Sequence, residues 1–289
     1  MLTQIRTLRW WIWGLVCICN IQYGSAQELL VNVYGRQYTL LNGKWNAIID
    51  PYQQGRKTAI YRNRALKDKA DFKEYAFEGG LRLNVPSDWN SQIPELKYYE
   101  GTMWYARKFE INKKSDENLF LYFGAVNYRC RVYLNGTLIG SHEGGFTPFQ
   151  FNVTNVVKEG GNFLAVEVDN TRTADAIPAL SFDWWNYGGI TRDVMLVHTP
   201  KNYIRDYFIQ LDKYDSDRVH AEVQLSAQNA GQLVKIEIPE LKIANKVFTD
   251  GTGLAKATFR VRNLERWSPQ APKLYQVIVS SEVDEVKEN

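Results

Sequence analysis

Apolar and polar residues alternate along most of the chain beyond residue 27, and a period of two residues is typical of β-strands with one buried face. The alternation is clearest in RVYLNGTLIG, NFLAVEVDN, VHAEVQLSA, VKIEIPE and LAKATFRV. In VHAEVQLSA the apolar face comprises Val219, Ala221, Val223 and Leu225, and the polar face comprises His220, Glu222 and Gln224. The chain beyond residue 27 has no sustained helical stripe. The pattern therefore predicts an all-β fold.

Turn signals between the strands predict how they are grouped. Asn135-Gly136 predicts a tight hairpin, because both central residues of the favoured two-residue turn need a positive φ. The sequence HTPKN separates two groups of strands near Pro200. Strands of this spacing pack as sandwiches. We predict a jelly-roll (galactose-binding-like) β-sandwich at residues 27–200 and an immunoglobulin-like β-sandwich at residues 201–289, and we expect the second to be incomplete.

The first 26 residues have the pattern of a secretory leader. Arg6 and Arg9 supply a positive start, WWIWGLVCICNI is an apolar stretch too short to span a bilayer comfortably, and Gly-Ser-Ala precedes Gln27. An uncleaved amphiphilic anchor is the alternative. We expect an exported protein, periplasmic or secreted, with no membrane association after cleavage. Cys130 is then the single cysteine, so the fold has no internal disulfide.

Composition narrows the function classes. The chain has 289 residues, of which 45% are hydrophobic, so it can bury a sizeable core. Without Arg6 and Arg9, its 33 basic residues nearly balance 32 acidic ones and no basic run is present, which argues against a nucleic-acid partner. Nine Trp, 17 Tyr and 13 Phe are available for core, interface or sugar contacts.

Six motifs occur in an order that resembles glycoside hydrolase family 2. They are LNGKW (41–45), VPSDWN (85–90), GTMWYARKFEI (101–111), VYLNGTLIGSHEGGFTPFQFNVT (132–154), DWWNYGGI (183–190) and RWSPQAPKLY (266–275). The resemblance covers nearly the whole chain beyond the leader, and the segments around HEGGF and NYGGI are most similar to the β-glucuronidase branch. It implies a sugar-binding jelly roll followed by an immunoglobulin-like domain of a β-glucuronidase or β-galactosidase type enzyme.

The same resemblance implies that catalysis lies elsewhere. In this family an (α/β)₈ barrel with both catalytic glutamates follows the immunoglobulin-like domain, and the chain ends at 286–289, where the link to it is expected. Retaining hydrolysis needs two carboxyl groups about 5–5.5 Å apart. Asp88, Glu100, Glu143 and Asp183 are each expected on a separate loop, and nothing in the spacing forces two of them together. We therefore predict no catalytic residue and no hydrolysis by this chain alone.

The segment SFDWWNYGGITRDV (181–194) holds the candidate binding residues. From the residues alone, Asp183 has two open roles: capping a turn, or accepting hydrogen bonds from a ligand. The resemblance implies the second, because the matching acid in relatives reaches the mouth of the barrel and binds sugar hydroxyls. Trp184, Asn186 and Tyr187 complete the predicted substrate-binding set, although Asn186 and Tyr187 can also serve only to fix the loop.

Other polar residues have structural interpretations. His142, His198 and His220 are too far apart for a metal site or a catalytic triad, so no metal and no cofactor is predicted. Phe146, in the Gly-Gly-Phe turn, and Phe149 are predicted to lie in the core, whereas Tyr98 and Tyr99, in the loop before Gly101, are predicted to be free to face a ligand.

Three functions are compatible with these observations. The first is the non-catalytic amino-terminal region of an exported, retaining exo-β-glycosidase, which braces the barrel, contributes to the sugar pocket and helps to build an oligomer interface. Its partners are a terminal β-linked sugar, the barrel and a second copy of the chain. The second is a stand-alone carbohydrate-binding protein without hydrolase activity, and the third is a structural protein of the adhesion type.

Overall fold

A computed structural model describes residues 29–64 and 76–288 and is built almost entirely of β-strands. The strands up to Pro200 are β1 (Tyr38–Leu40), β2 (Gly43–Ile49), β3 (Leu81–Val85), β4 (Ser87–Asp88), β5 (Thr102–Ile111), β6 (Glu117–Phe123), β7 (Val126–Asn127), β8 (Arg129–Leu134), β9 (Thr137–Glu143), β10 (Phe149–Asn152), β11 (Gly160–Asp169), β12 (Gly189–Ile190) and β13 (Val194–Pro200). Beyond it lie β14 (Ile204–Leu211), β15 (Arg218–Leu225), β16 (Leu233–Ile238), β17 (Ile243–Phe248), β18 (Leu254–Arg260), β19 (Val277–Ser280) and β20 (Glu285–Glu288). Short 3-10 helices lie at Val33–Gly35, Ile60–Arg62, Pro94–Leu96 and Pro239–Leu241. The all-β prediction is confirmed; the predicted leader, residues 1–26, lies outside the described residues.

The first sandwich packs a six-stranded sheet, in the order β3-β2-β5-β11-β8-β9, against a four-stranded sheet, in the order β1-β13-β6-β10. A small third sheet, β4-β12-β7, joins three short segments. The main core between the two large sheets includes Trp45, Leu83, Leu121, Val132 and Leu196, each at most 1% exposed. Inward residues of this kind alternate with outward ones along each strand, which is why the period of two was visible in the sequence.

The hairpin predicted at Asn135-Gly136 joins β8 to β9. Asn135 has a φ of 52° and Gly136 a φ of 81°, the left-handed values that this turn requires. Leu134 pairs with Thr137 directly across the turn. The prediction is confirmed, and the turn fixes the register of β9 at the edge of the six-stranded sheet.

The second sandwich packs the sheet β14-β15-β18 against the sheet β17-β16-β19-β20. On β15 the predicted apolar face is confirmed, because Val219, Ala221, Val223 and Leu225 are all at most 5% exposed. Partners in the same core include Ile204, Val234, Ile236 and Val279. The described residues contribute seven strands, the number in a constant-type immunoglobulin domain. That this sandwich is incomplete stays a prediction.

Candidate functional site

The loop between β11 and β12, residues 170–188, carries the predicted binding residues. Asp183 is exposed, and its carboxylate makes no hydrogen bond or ion pair with the part of the chain that the structure describes. A turn-capping aspartate bonds nearby backbone amides, and Asp183 has no such bond there. Its two oxygens are therefore available to a ligand that donates hydrogen bonds.

Buried asparagines fix the base of this loop. Asn186 Nδ2 donates to the Asn170 carbonyl oxygen at 2.6 Å, and Asn170 Nδ2 donates to the Asn186 carbonyl oxygen at 2.6 Å. Asn127 Nδ2 donates to Asn186 Oδ1 at 2.8 Å. All three side chains belong to residues that are at most 4% exposed. Asn170 and Asn186 each use both polar ends of the side chain, and buried hydrogen bonds of this kind hold a loop in one conformation.

The end of the loop is fixed by a close approach of backbone to ring. Gly188 N donates to Asn90 Oδ1 at 2.9 Å, and Trp89 N donates to the Gly188 carbonyl oxygen at 2.9 Å. A Cβ at Gly188 would lie 2.2 Å from Trp89 Cζ2, so no larger residue fits. Gly189 adopts a φ of 149°, which favours glycine, and pairs with Asp88. The Gly-Gly pair of the motif thus holds the loop against β4 and the two residues that follow it.

Aromatic rings surround Asp183 in the sequence and lie at the surface. Trp184 is 52% exposed and Phe182 is 43% exposed, with ring centroids 4.4 Å apart. Tyr187 is 52% exposed. Trp185 is half-buried, and its ring packs edge-on against the Tyr98 ring with the two centroids 5.7 Å apart. Exposed rings beside a free carboxylate form the kind of surface on which a sugar presents its C–H face and its hydroxyls.

An ion pair supports the Trp185 side of the loop. Arg172 Nε lies 3.1 Å from Glu100 Oε2, and the Arg172 backbone N–H donates to Glu100 Oε1 at 2.7 Å. The Arg172 guanidinium lies over the Trp185 ring, 5.1 Å from its centroid. Arg172 therefore packs on the Trp185 ring, whereas the Trp184 ring stays exposed.

The predicted site residues therefore fall into two groups. Asp183, Trp184 and Tyr187 have exposed side chains, whereas the Asn186 side chain points inward and has both polar ends engaged by protein partners. Tyr98 is 70% exposed, as predicted. The same prediction for Tyr99 was wrong, because its ring packs against Trp89 and its hydroxyl donates to the Thr102 carbonyl oxygen at 2.7 Å. The core prediction for Phe146 was wrong, because it lies in the bend between β9 and β10 and is 61% exposed, whereas the prediction for Phe149 is confirmed at 6% exposure.

Sequence reasoning missed the residues that hold the loop. Asn127, Asn170 and Asn90 act at the ends of strands and short turns, and Arg172 and Glu100 come from two different loops. A signal was present, because Asn170 directly follows the alternating segment NFLAVEVD and a carboxamide at a strand end often bonds free backbone groups. Which backbone groups Asn170 bonds depends on which distant segments pack beside it, and the local sequence does not encode that packing.

Two of the three histidines, His198 and His220, pair with an acidic residue, whereas His142 Nε2 lies 3.2 Å from the Gly144 carbonyl oxygen. His198 Nδ1 lies 2.9 Å from Glu117 Oε2, and His220 Nε2 lies 2.6 Å from Asp212 Oδ2. The hydrogen bond from His220 lowers the pKa of Asp212 to about 2. Over residues 29–64 and 76–288, no group of three His, Cys, Asp or Glu side chains is placed to hold a metal ion. Within those same ranges no helix is long and apolar enough to cross a membrane.

Comparison with known proteins finds matching family models over both sandwiches. Residues 39–200 match the sugar binding domain of glycosyl hydrolases family 2, and residues 202–289 match a second model of glycosyl hydrolases family 2. The β-glucuronidase of Rattus norvegicus is 26% identical over 298 residues, covering 91% of this chain and 44% of the rat protein. The β-galactosidase of Thermoanaerobacter pseudethanolicus is 30% identical over 236 residues, covering 76% of this chain and 32% of that enzyme.

A solved structure has the same fold. The β-glucuronidase of an uncultured Clostridium species superposes with a TM-score of 0.72 at 29% identity, covering 90% of this chain and 45% of that chain. The chain thus spans less than half the length of the relatives it matches. With family models over both sandwiches, the chain belongs to glycosyl hydrolase family 2, with its sugar binding jelly roll followed by its immunoglobulin-like domain.

Proposed function

We propose that this chain is the non-catalytic amino-terminal region of an exported, retaining exo-β-glycosidase of the β-glucuronidase or β-galactosidase type. The observation that carries the proposal is the state of Asp183, a carboxylate without a protein partner among the described residues, on a loop whose base is locked by buried asparagines. A group held in this way is suited to bind a sugar hydroxyl at a reaction centre.

Bracing of a catalytic barrel is the second part of the proposal. Exposed apolar side chains lie on both sandwiches: Phe182 and Trp184 on the first, and Trp267 and Leu274 on the second, at 59% and 58% exposure. Trp267 and Leu274 belong to a segment without strands, between β18 and β19. Exposed apolar surface of this kind commonly marks an interface. Barrel docking supplies a partner for both surfaces.

The reaction of the whole protein is then retaining hydrolysis of a terminal β-linked sugar, with both catalytic carboxyl groups supplied by the barrel. The purified 289-residue chain is expected to leave chromogenic β-glucuronides and β-galactosides intact. Hydrolysis by this chain at an enzyme's rate would contradict the proposal. Sequencing of the gene beyond the codon for Asn289 is a second test of the proposal, because we expect the open reading frame there to encode a barrel.

The role of Asp183 is tested in the longer protein that contains the barrel. Asp183→Asn keeps the shape of the side chain but removes its charge, and the loss of a charged acceptor to a sugar hydroxyl is expected to lower kcat/KM at least about tenfold. Asp116→Asn, an exposed aspartate in the turn before β6, is the matched control. Equal activity of the two variants would show that Asp183 does not bind substrate.

Export follows from the leader pattern at residues 1–26. Expression in a bacterial host with a secretory system is expected to give a periplasmic or secreted protein whose amino terminus is Gln27. A cytoplasmic product that begins at Met1 would contradict this part of the proposal and leave the role of Asp183 untouched.

A stand-alone carbohydrate-binding protein is the second candidate, and the exposed rings of Trp184, Tyr187 and Tyr98 favour it. Calorimetric titration of the purified chain with simple β-glycosides separates the two functions. Saturable binding that Trp184→Ala abolishes would support this candidate. Absence of binding at millimolar concentration, combined with a barrel encoded downstream, would exclude it.

A further inference from the structure

The loop between β11 and β12 has two arms: residues 170–177 leave β11 and residues 182–188 lead into β12. The first arm is held against the start of β8, because Arg129 Nη1 donates to the Thr171 carbonyl oxygen at 3.1 Å. The second arm carries Asp183. What holds the second arm therefore decides how well that carboxylate is placed.

The stretch around Asp183 is connected to the sandwich through Trp185. Asp183 lies three residues ahead of Asn186, whose buried side chain holds the base of the second arm. Its neighbours Phe182 and Trp184 are both exposed, and their rings contact each other with centroids 4.4 Å apart. Trp185 is half-buried, and its ring contacts residues outside the second arm.

Two segments of the first sandwich contact the Trp185 ring. The Arg172 guanidinium carbon, from the first arm, lies 5.1 Å from the ring centroid. The Tyr98 ring, from the loop before β5, packs edge-on with the two centroids 5.7 Å apart. Trp185 thus joins the two arms to each other and to the loop before β5. The Cα atoms of Asp183 and Trp185 are at most about 7 Å apart, the length of two extended residues, so a displacement of the ring moves the carboxylate.

Glu100 holds Arg172 through both carboxylate oxygens. The Arg172 backbone N–H donates to Glu100 Oε1 at 2.7 Å, and Arg172 Nε lies 3.1 Å from Glu100 Oε2. The Arg172 and Glu100 side chains are 19% and 21% exposed, so the pair is partly shielded from solvent. One carboxylate thus orients both the backbone and the guanidinium of the same residue. A planar guanidinium fixed in this way stacks on an aromatic ring better than a flexible lysine ammonium does.

The same pair satisfies the charge of Arg172. A guanidinium without a carboxylate partner in this loop would attract Asp183 into an internal ion pair. Glu100 neutralises that guanidinium, and Asp183 makes no ion pair or hydrogen bond with any residue that the structure describes. Arg172 can therefore order the loop and leave Asp183 free for a ligand.

We propose that Arg172 is a positioning residue for Asp183. Held by Glu100, Arg172 packs on Trp185 and fixes the second arm two residues from the carboxylate. The inference rests on the proposed function, because the position of Asp183 affects hydrolysis only if its carboxylate binds the sugar. Arg172 acts through Trp185 and does not itself contact substrate.

The restraint on the loop is tested first in the 289-residue chain. Chymotrypsin cleaves after aromatic residues, so the rate of cleavage within residues 182–187 measures how often the second arm opens. Arg172→Ala is expected to speed that cleavage about fivefold, because it removes both the ion pair and the contact with Trp185. Arg218→Ala is the control: it removes a pair with Asp215 on the second sandwich and is expected to leave the rate unchanged.

Activity is tested in the longer protein that contains the barrel, as a double-mutant cycle of Arg172→Ala and Asp183→Asn. Arg172→Ala alone is expected to lower kcat/KM at least about threefold, and by less than Asp183→Asn does, because a displaced carboxylate keeps part of its hydrogen bonding. In the Asp183→Asn background, Arg172→Ala is expected to cause little further loss. A residue that only stabilises the fold would lower kcat/KM by the same factor in both backgrounds.

Arg172→Lys is the second variant, and it decides the matter if Arg172→Ala fails to fold. It keeps a cation opposite Glu100 and loses the planar group over Trp185. Cleavage within residues 182–187 is therefore expected to be about twofold faster than in the unaltered protein.

Cleavage at the unaltered rate in both Arg172 variants overturns the proposal, as does an equal loss of kcat/KM in the two backgrounds of the cycle. Normal kcat/KM in Arg172→Ala, together with a loss in Asp183→Asn, overturns it too and leaves the proposed function intact. Normal kcat/KM in Asp183→Asn, together with faster cleavage in Arg172→Ala, contradicts the proposed function instead, and with it any role of Arg172 in hydrolysis.

Discussion

Arg36 Nη1 lies 2.9 Å from Asp284 Oδ2, an ion pair between the segment before β1 and the turn that joins β19 to β20. The two side chains are 2% and 9% exposed. Arg36 Nη2 also donates to the Ile204 carbonyl oxygen at 2.6 Å, and Ile204 N donates to Asp284 Oδ2 at 2.8 Å. The pair therefore fixes the start of β14, the first strand of the second sandwich, against the first sandwich.

Removal of one partner of this pair is expected to destabilise the protein strongly. Arg36→Ala leaves the Asp284 carboxylate buried without its cation, which costs about 3–5 kcal/mol in comparable buried pairs. The measurement is the free energy of unfolding from urea titration, followed by two probes, since a protein of two sandwiches need not unfold in one step.

The exposed pair Lys256–Glu222 on the second sandwich is the control for this prediction. Its side chains are 61% and 48% exposed, so Lys256→Ala is expected to change the free energy of unfolding by about 1 kcal/mol or less. Similar effects of Lys256→Ala and Arg36→Ala would contradict the importance of burial at the junction.

Asn170→Ala is expected to loosen the loop that carries Asp183. The substitution removes the bond to the Asn186 carbonyl oxygen and the acceptor of Gly101 N, which donates to Asn170 Oδ1 at 2.8 Å. Each buried group left without a partner costs about 1–3 kcal/mol. We expect lower stability and faster proteolytic cleavage within residues 171–187. Asn112→Ala, at an exposed asparagine after β5, is expected to change neither, and equal cleavage of both variants would contradict the role of Asn170.

Gly188→Ala tests the close approach between the loop and Trp89. The added Cβ would lie 2.2 Å from Trp89 Cζ2 and 2.7 Å from Asn170 Cβ, so the loop or the ring must move. Overpacking of this kind costs about 1–3 kcal/mol, which thermal unfolding measures. Gly161→Ala is the matched control, because its Cβ meets nothing within 4 Å. A Gly188→Ala protein as stable as the Gly161→Ala protein would show that the loop has room to shift.

Because Asp212 is paired with His220, we expect the stability of the protein to depend on pH in the acid range. The hydrogen bond from His220 holds the pKa of Asp212 at about 2 in the folded protein, below its ordinary value of 3.8. The contribution of the ionised carboxylate is therefore complete above about pH 4 and is lost as the pH falls towards about 2. Asp212→Asn is expected to destabilise the protein at about pH 5 and to have a smaller effect at about pH 2.5.

His220→Ala supplies the control for the acid prediction. In that background Asp212 retains its bonds to the Tyr214 and Asp215 backbone N–H groups, but its strongest partner is gone. The loss of stability that Asp212→Asn causes at about pH 5 is expected to be smaller in the His220→Ala background than in the unaltered protein. An equal loss in both backgrounds would assign the lowered pKa of Asp212 to the backbone bonds instead of His220.

Local pattern determined the strands of this protein. The alternation around Val219, Ala221 and Val223 placed one face of β15 in the core, because successive side chains of a strand point to opposite faces wherever the strand lies. The turn at Asn135-Gly136 was equally local, since positive φ values depend on the two residues themselves. The order of motifs along the chain also indicated the family before any fold was known.

Tertiary structure decided which distant residues form hydrogen bonds and ion pairs with one another. The hydrogen-bonded residues Asn170 and Asn186 are 16 residues apart, and the ion-paired residues Arg36 and Asp284 are 248 apart. The ion pairs of Glu167 likewise depend on the strand register that places Arg131 beside it and on the loop that brings Arg56 to it. Phe146 was misplaced for the same reason, because a hydrophobic residue in a turn is buried only if another element covers it. Hydrophobic periodicity is a property of each segment, whereas a buried hydrogen bond or ion pair exists only after distant segments have packed together.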